Sequence, residues 1–306
     1  MALVLASSLC GALVTHAYDL PAVNLGVTSF LDGGPPAGPG FYFTEYGQYY
    51  TSHQLNDAHG KSMGLPGADL DVGVSLSQFI YQSDQKVFLD GKWGMDVIVP
   101  VVSAHISFDA PIPLRANGTG LGDVVVGPFI QWDPIMGKNG PLFMHRIELQ
   151  CITPTGKYDR NYAINPGSGY FSFNPYWSGT LFVTPKFTVS TRVHYLWNDS
   201  TTDPNIPGAT KLQAGQAVHL NFAMDYELIE KHLRAGANLY YLKQFTDSHV
   251  YGVNTADRRE RVLGVGPGAI YSFNQNNHLF LNAYFEPVAD NRPEGMRFVL
   301  RYVHHF

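Results

Sequence analysis

The sequence has little charge, very little cysteine and no basic cluster, and each absence excludes a class of protein. Charged residues are 15% of the 306 residues, well below the roughly 25% of typical soluble proteins. The net charge of −5 and the lack of any Lys/Arg cluster argue against a nucleic-acid partner. Cys10 lies in the apolar N-terminal stretch, which leaves Cys151 as the only cysteine beyond it. No intramolecular disulfide is therefore expected in the mature chain.

Long apolar runs are missing as well, except at the N-terminus. Residues 2–14 carry no charge and are followed closely by the small residue Ala17, a pattern typical of a signal peptide and too short for a membrane-spanning helix. We expect a signal peptide over residues 1–17 and a mature chain that starts at Tyr18. No other uncharged apolar run approaches 18 residues, so any membrane crossing is expected to use a closed β-barrel.

Aromatic residues, glycine and proline are abundant, which favours strands and turns over helices. Aromatics make up 13% of the chain, with 31 glycines and 20 prolines. Residues 18–40 are so rich in Gly and Pro that no regular element is expected there. This segment is interpreted either as a periplasmic lead-in or as a plug folded back into a barrel lumen.

From residue 41 onward the sequence alternates between apolar and polar positions in segments long enough for tilted membrane strands, roughly 9–11 residues. The clearest segment covers residues 218–228, where every second residue is apolar. We count twelve such segments, with mostly longer polar connections after odd strands, including one over residues 287–294. The pattern predicts an all-β fold over residues 41–306, an antiparallel outer-membrane β-barrel of about twelve strands with both ends in the periplasm.

The last segment shows why a membrane barrel is preferred to a soluble sandwich. Arg297 and Arg301 alternate with apolar and aromatic residues, and a barrel would turn these arginines into its lumen and the other face to lipid. The segment resembles the terminal strand that barrel-insertion machinery recognises in bacterial outer-membrane barrels. That resemblance implies an assembly signal formed by Phe298, Leu300, Tyr302 and Phe306. His304 departs from the usual pattern, which has an apolar residue at this position.

Charged and polar residues on the opposite faces of these segments are candidates for lining a lumen. An Arg near the midplane on the lipid side would cost roughly 2–4 kcal/mol, so we expect these side chains to point inward. Both signs are present, which allows either a wet pore or a lumen filled by ion pairs. The candidates are Asp69, Asp71, Asp96, Arg146, Glu148, Arg192, His219, Asp225, Glu227, Arg234, Glu286, Arg297 and Arg301.

Two prolines lie inside otherwise regular strand patterns. Pro128 and Pro267 each follow a glycine, and proline cannot donate to a strand ladder. We predict a bulge in the wall at each of them. Such bulges are either ordinary barrel geometry or an interruption through which an apolar molecule leaves sideways into the membrane.

Several short runs resemble a known family. Residues 28–33, 38–43 and 49–50 resemble the opening of the outer-membrane family named for the meta-pathway of phenol degradation, and residues 120–123 resemble its Gly-x-Gly-Asp strand start. The resemblance implies an outer-membrane barrel, often encoded beside aromatic-degradation genes, that helps hydrophobic substrates across the membrane. That family has no catalytic motif to carry over.

No motif for catalysis, metal binding or cofactor binding emerges from the sequence, so no cofactor or metal is expected and the protein is predicted not to be an enzyme. The expected function is uptake of small hydrophobic or aromatic compounds through a channel in the outer membrane. The expected partners are outer-membrane lipid, the insertion machinery and a small hydrophobic ligand. A structural or adhesive barrel and a barrel enzyme acting on lipid are kept as alternatives.

Overall fold

The computed structural model describes residues 19–35, 37–138, 140–253 and 257–306, and its main feature is a wall of twelve antiparallel strands. The predicted signal peptide and Tyr18 lie outside the described residues. The wall strands are β1 (Gly40–Leu55), β2 (Asp69–Lys86), β3 (Lys92–Ser107), β4 (Gly118–Leu121 and Val125–Gln131), β5 (Gly140–Glu148 and Cys151–Ile152), β6 (Ser172–Phe173 and Tyr176–Phe182), β7 (Phe187–Asn198), β8 (Ala217–Ile229), β9 (Leu233–Gln244), β10 (Arg261–Asn274), β11 (Asn277–Asp290) and β12 (Pro293–His305).

The wall closes on itself because β12 pairs with β1. The pairing runs from Tyr42 opposite His305 to Leu55 opposite Pro293, and every other strand pairs with its neighbours in sequence order. Closure satisfies the backbone groups of both end strands, which an open sheet would leave exposed. The prediction of a closed antiparallel barrel with twelve strands is confirmed.

Two ends of the barrel can be distinguished. The terminal end is where β1 begins and β12 ends, and the loop end is opposite. The loop end carries a small three-stranded sheet of Ser200–Thr201, Lys211–Gln213 and His249–Tyr251. The long connection predicted over residues 287–294 is wrong, because only Asn291 and Arg292 separate β11 from β12, and Asn291 adopts a positive φ of 52° that completes a tight turn.

Strands β4, β5 and β6 are each interrupted, and the interruptions lie side by side. Residues 122–124, 149–150 and 174–175 leave the regular ladder. Backbone hydrogen bonds still cross these interruptions, among them those from Leu149 N to the oxygen of Pro128 at 3.0 Å, from Asn174 N to the oxygen of Gln150 at 2.7 Å and from Tyr195 N to the oxygen of Pro175 at 3.1 Å. Since neither proline has an N–H to donate, the wall is held less densely here than elsewhere.

The segment that precedes β1 lies inside the barrel and follows its length. Near the terminal end the hydroxyl of Tyr42 donates to the oxygen of Gly38 at 2.5 Å. Near the loop end Asp19 pairs with Arg258, which lies just before β10. Between these points Leu20, Leu25 and Phe30 are buried. The described residues contain no helix with the length and hydrophobicity needed to cross a bilayer.

Candidate functional site

A cavity of about 340 Å³ occupies one side of the lumen. On the wall side, aliphatic residues of β2 to β5 line it, and on the other side it is bounded by the N-terminal segment from Asp19 to Thr28. Tyr158, from the loop between β5 and β6, also faces it and donates its hydroxyl to the oxygen of Asp203 at 2.7 Å. Burial raises the pKa of Tyr158 to about 12. The aliphatic lining consists of Leu70, Val72, Val74, Leu76, Ile98, Pro100, Val102, Ala104, Val125 and Ile152.

Between Asp69 and Ser77 strand β2 supplies apolar lining, because there its apolar residues point inward and its polar residues point outward. Leu70 is 4% exposed and lines the cavity. Asp71 lies on the outer face, where its Oδ1 accepts a hydrogen bond from the exposed Tyr49 hydroxyl at 2.5 Å, and the side chain of Asp69 is 44% exposed.

The assignment of Asp69 and Asp71 to the lumen is therefore wrong. Alternation predicts which residues share a face but not which face points inward, and pairing with β1 decides this. Tyr46 and Tyr50 of β1 point inward, and they stand opposite Leu76 and Val72.

The cavity ends on polar groups toward the middle of the barrel. The Tyr46 hydroxyl donates to Gln78 Oε1 at 2.7 Å, and Gln78 Nε2 donates to Asp96 Oδ2 at 2.7 Å. Asp96 is 2% exposed, lines the cavity, and its Oδ1 has no hydrogen-bond partner among the described residues. The cavity therefore offers an apolar molecule an aliphatic wall with one carboxylate oxygen at its inner end.

An ion pair joins the N-terminal segment to the barrel wall beside this polar end. Asp32 accepts two hydrogen bonds from Arg192 of β7, both 2.7 Å long, and the guanidinium of Arg192 lies 4.0 Å from the centroid of the Tyr176 ring. Tyr176 in turn donates to Glu148 Oε2 at 2.6 Å. Because both charged groups are buried and their contact is bidentate, the Asp32–Arg192 pair holds the segment at a fixed depth in the lumen.

Other contacts fix the same segment along its length. Gly33 N donates to Thr180 Oγ1 at 2.9 Å, and Gly26 N donates to Asn221 Oδ1 at 2.9 Å. Phe30 is fully buried in a cluster with Ala223, Ile270 and Phe280. These contacts give the irregular backbone the hydrogen-bond partners that a buried loop needs.

The loop end of the segment is tied by carboxylates and arginines. Arg258 Nε donates to Asp19 Oδ2 at 2.8 Å, and the backbone N–H groups of Asp19 and Leu20 both donate to Glu260 Oε1 at 3.1 Å. Burial raises the pKa of Glu260 above its ordinary value, against the opposing effect of Arg292, whose Nη1 donates to Glu260 Oε2 at 2.7 Å.

Most of the lumen candidates point into the barrel, and many meet one another there. Asp225 pairs with Arg234, whose Nη1 lies 3.9 Å from Glu227 Oε1. The hydroxyls of Tyr50 and Tyr240 both donate to Glu286, at 2.8 and 2.6 Å. The inward-facing candidates are Asp96, Arg146, Glu148, Arg192, His219, Asp225, Glu227, Arg234, Glu286, Arg297 and Arg301. Among the described residues, these side chains fill the part of the lumen away from the cavity with polar contacts rather than leaving open space.

The wall near the two predicted bulges differs from expectation. The register between β3 and β4 is continuous through Pro128, and that between β9 and β10 is continuous through Pro267. The nearest register shift in β10 lies between Leu263 and Val265. The bulges predicted at both prolines are therefore wrong. At Pro128 the irregularity takes another form, since the break in β5 lies opposite it.

An apolar groove of about 360 Å³ lies on the outer wall beside these interruptions. It is lined by Pro175, Trp177, Val193 and Tyr195, and also by the edges of the inward-facing Tyr176 and His194. Asn174, the neighbour of Pro175, lines the inner cavity. Consecutive residues at the interruption of β6 therefore face a cavity inside the wall and a groove outside it.

Comparison with known proteins gives a family match and similar solved structures. Residues 52–302 match the family described as "Putative MetA-pathway of phenol degradation". The chain belongs to this family. Its structure is similar to that of the COG4313 outer membrane channel from Pseudomonas putida F1, with a TM-score of 0.77 and 16% sequence identity, covering 93% of this chain and 100% of the other. No match is found among curated proteins.

Weaker structural matches are other outer-membrane proteins. A deletion mutant of the TodX monoaromatic hydrocarbon channel gives a TM-score of 0.49 at 9% identity, covering 94% of this chain and 100% of that one. The translocator domain of the autotransporter NalP from Neisseria meningitidis gives 0.48 at 10% identity, covering 88% and 89%. The match to the COG4313 channel shows that this family member has the fold of a bacterial outer-membrane barrel.

Sequence reasoning missed several residues of the site in this member of the phenol-degradation family. Asp32, Tyr46 and Gln78 each make a contact described above, yet none was among the candidate site residues. Asp32 lies in a Gly/Pro-rich stretch without periodicity, so the sequence gives no face to assign. A buried cation such as Arg192 requires a partner, and that requirement is the signal that could have prompted a search for Asp32. Among the described residues, no group of three or more His, Cys, Asp or Glu side chains could hold a metal ion.

Proposed function

We propose that the protein is a channel that takes up small hydrophobic or aromatic compounds through the outer membrane. The observation that carries the proposal is the cavity, which has an aliphatic wall and is open space in a lumen otherwise filled by packed side chains and the N-terminal segment. An apolar molecule gains roughly 25 cal/mol for each Å² of surface that it removes from water in such a cavity. The volume of about 340 Å³ is at the small end of ligand pockets, which fits a compound with one ring.

The N-terminal segment acts in this proposal as the gate. It bounds the cavity from Asp19 to Thr28 and fills the lumen toward the terminal end. A molecule in the cavity therefore cannot continue straight through the barrel while Asp32 holds Arg192. Either the segment moves or the molecule leaves through the wall.

The interrupted part of the wall is the proposed lateral exit. Interior positions Gln150 and Asn174 face the cavity, and Pro175 and Trp177 face the outer groove. Pro128 has no N–H to donate to β5 and Pro175 has none to donate to β7, which lowers the cost of separating these strand pairs at this point. The structure gives Pro267 no comparable role, since its register is continuous and it lines neither the cavity nor the groove.

Uptake of a labelled aromatic compound by intact cells tests the proposal. A variant lacking residues 20–36 is expected to change uptake, and Pro128→Val and Pro175→Val are expected to lower it by restoring ladder donors. Pro267→Val is the matched control and should transport normally. Unchanged uptake in the deletion variant and in both wall variants would show that the gate and the lateral exit are wrong. A conductance record in planar bilayers then separates a simple pore from a barrel without transport.

A further inference from the structure

One buried arginine beside the cavity has no carboxylate close to it. Arg297 of β12 lines the cavity and is 8% exposed. In the sheet it stands opposite Tyr50 of β1, and Tyr50 stands opposite Val72 of β2. Val72 belongs to the aliphatic lining, so Arg297 lies level with the apolar wall and two strands away from it, about 10 Å across the sheet.

The other buried arginines show what is unusual about Arg297. Four of the other five lie within 4.0 Å of a carboxylate. Among the described residues no carboxylate lies so close to Arg297, and its Nε has no hydrogen-bond partner. Burying a cation without an anion is costly, so a ligand that supplies the anion would be bound favourably here. The paired arginines are Arg146 with Glu148, Arg192 with Asp32, Arg258 with Asp19 and Arg292 with Glu260.

The remaining buried arginine, Arg301 of β12, does not face the cavity. Among the described residues it too has no carboxylate within 4.0 Å. Its guanidinium lies 3.5 Å from the centroid of the Phe280 ring, and it is not part of the cavity lining. Arg297 is therefore the buried arginine whose unpaired charge a molecule in the cavity can reach.

Glu286 lies near Arg297 but is bound by other donors. Its Oε2 accepts hydrogen bonds from the Tyr50 hydroxyl at 2.8 Å and from Gly295 N at 2.9 Å, and its Oε1 accepts one from the Tyr240 hydroxyl at 2.6 Å. The rings of the same two tyrosines lie beside the guanidinium of Arg297, with their centroids 5.2 and 5.3 Å away. Glu286 thus holds the tyrosines in place, and they position Arg297 without giving it an ionic partner.

Gln48 places a second donor on the same side of the cavity. It lies opposite Val74 of β2 and lines the cavity. Its side-chain amide makes no hydrogen bond with any described residue. Gln48 and Tyr50 are two positions apart on one face of β1, a separation of about 7 Å. The amide is therefore placed to donate to the same ligand group as Arg297.

We infer that the cavity binds the anion of a small carboxylic acid with one apolar ring. The inference rests on the proposed function, since it takes the cavity to be the binding site of the channel. A guanidinium presents paired N–H donors that match the two oxygens of a carboxylate, and the contact neutralises the buried charge. The carboxylate lies on Arg297 and Gln48, and the ring contacts Val72 and Val74. A neutral hydrocarbon leaves Arg297 without a partner.

The charge of such a ligand also selects its route. Hydrocarbon offers a carboxylate no hydrogen-bond partner, so the acid anion does not leave through the wall at Pro175. It leaves when the N-terminal segment moves, because that segment bounds the cavity from Asp19 to Thr28. Apolar compounds without a charge use the lateral exit.

Titration of the purified protein in detergent with benzoate, benzamide and toluene tests the inference. The wild type should bind benzoate roughly tenfold more tightly than the uncharged benzamide. Arg297→Met should weaken benzoate binding by roughly ten- to a hundredfold, the scale of a lost hydrogen bond between charged groups, and should leave toluene binding unchanged. Gln48→Leu should weaken benzoate binding by roughly threefold to tenfold. Arg301→Met is the matched control and should bind benzoate like the wild type.

Uptake by intact cells tests the route. Uptake of labelled benzoate should fall in Arg297→Met and stay normal in Pro175→Val, and uptake of labelled toluene should show the reverse. Heat-modifiable migration on gels checks that each variant is folded. If Arg297→Met does not fold, Gln48→Leu and the comparison of benzoate with benzamide decide.

Two kinds of failure can be told apart. Benzoate that binds no more tightly than benzamide, or equally well to the wild type and Arg297→Met, would overturn the inference, and toluene binding would leave the proposed function standing. A fall in benzoate uptake in Pro175→Val would overturn the route. If neither toluene nor benzoate binds or is taken up, the proposed function fails together with the inference.

Discussion

The wall around β2 and the wall around β8 distribute their side chains in opposite ways. On β8, His219 and Asn221 point inward and Leu220 points to the lipid side. On β2, Val74 points to the cavity and Ser75 points outward. What each wall faces inside the barrel accounts for the difference. The β8 wall contacts the N-terminal segment, whose irregular backbone needs hydrogen-bond partners, while the β2 wall faces a cavity that needs none.

A large difference between the two walls should appear when one cation is placed on each outer face. Leu220→Arg puts a charge against lipid near the middle of the wall and should lower the free energy of unfolding by about 2–4 kcal/mol. Ser75→Arg at a similar depth lies beside Glu45, with which it can pair, and should cost far less. Urea unfolding in lipid vesicles measures both. Equal losses would mean that the outer face around Glu45 is no better suited to charge than the outer face of β8.

A comparable or larger loss should follow from breaking the ion pair that ties the polar wall to the segment. Arg192→Leu leaves the Asp32 carboxylate buried and unpaired, which should cost about 3–5 kcal/mol. Asp32→Asn combined with Arg192→Gln keeps hydrogen bonding without net charge and should recover much of the loss. Thermal unfolding measures stability, and protease cleavage within residues 19–35 reports release of the segment. If the single and double variants behave alike, the pair does not hold the segment.

A smaller effect is expected from a polar change inside the apolar wall. Val74→Ser removes aliphatic surface from the cavity and should weaken binding of a one-ring hydrocarbon by roughly tenfold, the scale of one or two lost methyl contacts. Stability should change little, because Val74 lines a cavity rather than a packed core. Titration of the purified protein with toluene measures the affinity. Thr188→Ser in the polar wall is the control and should leave affinity unchanged.

The smallest effect is expected at the two misassigned aspartates. Asp69→Asn and Asp71→Asn alter exposed groups on the outer face and should change stability by no more than about 0.5 kcal/mol. Neither should alter ion selectivity in a planar bilayer, since neither side chain reaches the lumen. A clear shift in selectivity would mean that these side chains do face the lumen.

The sequence predicts the barrel well because alternation and strand length are local properties. Strand β8 shows this best, since the predicted segment 218–228 lies within the observed Ala217–Ile229. Which face of β2 points inward depends on pairing with β1, and no pattern within β2 records it. The bulges predicted at Pro128 and Pro267 were wrong for a related reason. A missing N–H donor shows where a strand ladder is weak but not whether its register shifts.

The candidate site was harder to predict than the wall. Some of its charged wall residues, such as Arg192 and Glu148, could be named because a charge in the middle of a membrane strand is costly on the lipid side. The cavity could not, because it depends on where the N-terminal segment lies, and that segment has no period. Its contacts also span the whole chain, as between Gly26 and Asn221, so no local window contains them.

The position of the N-terminal segment sets an order of events during assembly. Asp19 bonds to Glu260 across 241 positions of sequence, and Asp32 bonds to Arg192 across 160. Neither contact can form until the strands next to Glu260 and Arg192 are in place. Contacts between residues so far apart in sequence also form slowly. The part of the described chain that is synthesised first is therefore the part that reaches its final position last. Until then its partners in β7, β8 and the loop before β10 lack their native contacts. The lumen of the barrel is then wider than in the finished structure, because the segment does not yet occupy it.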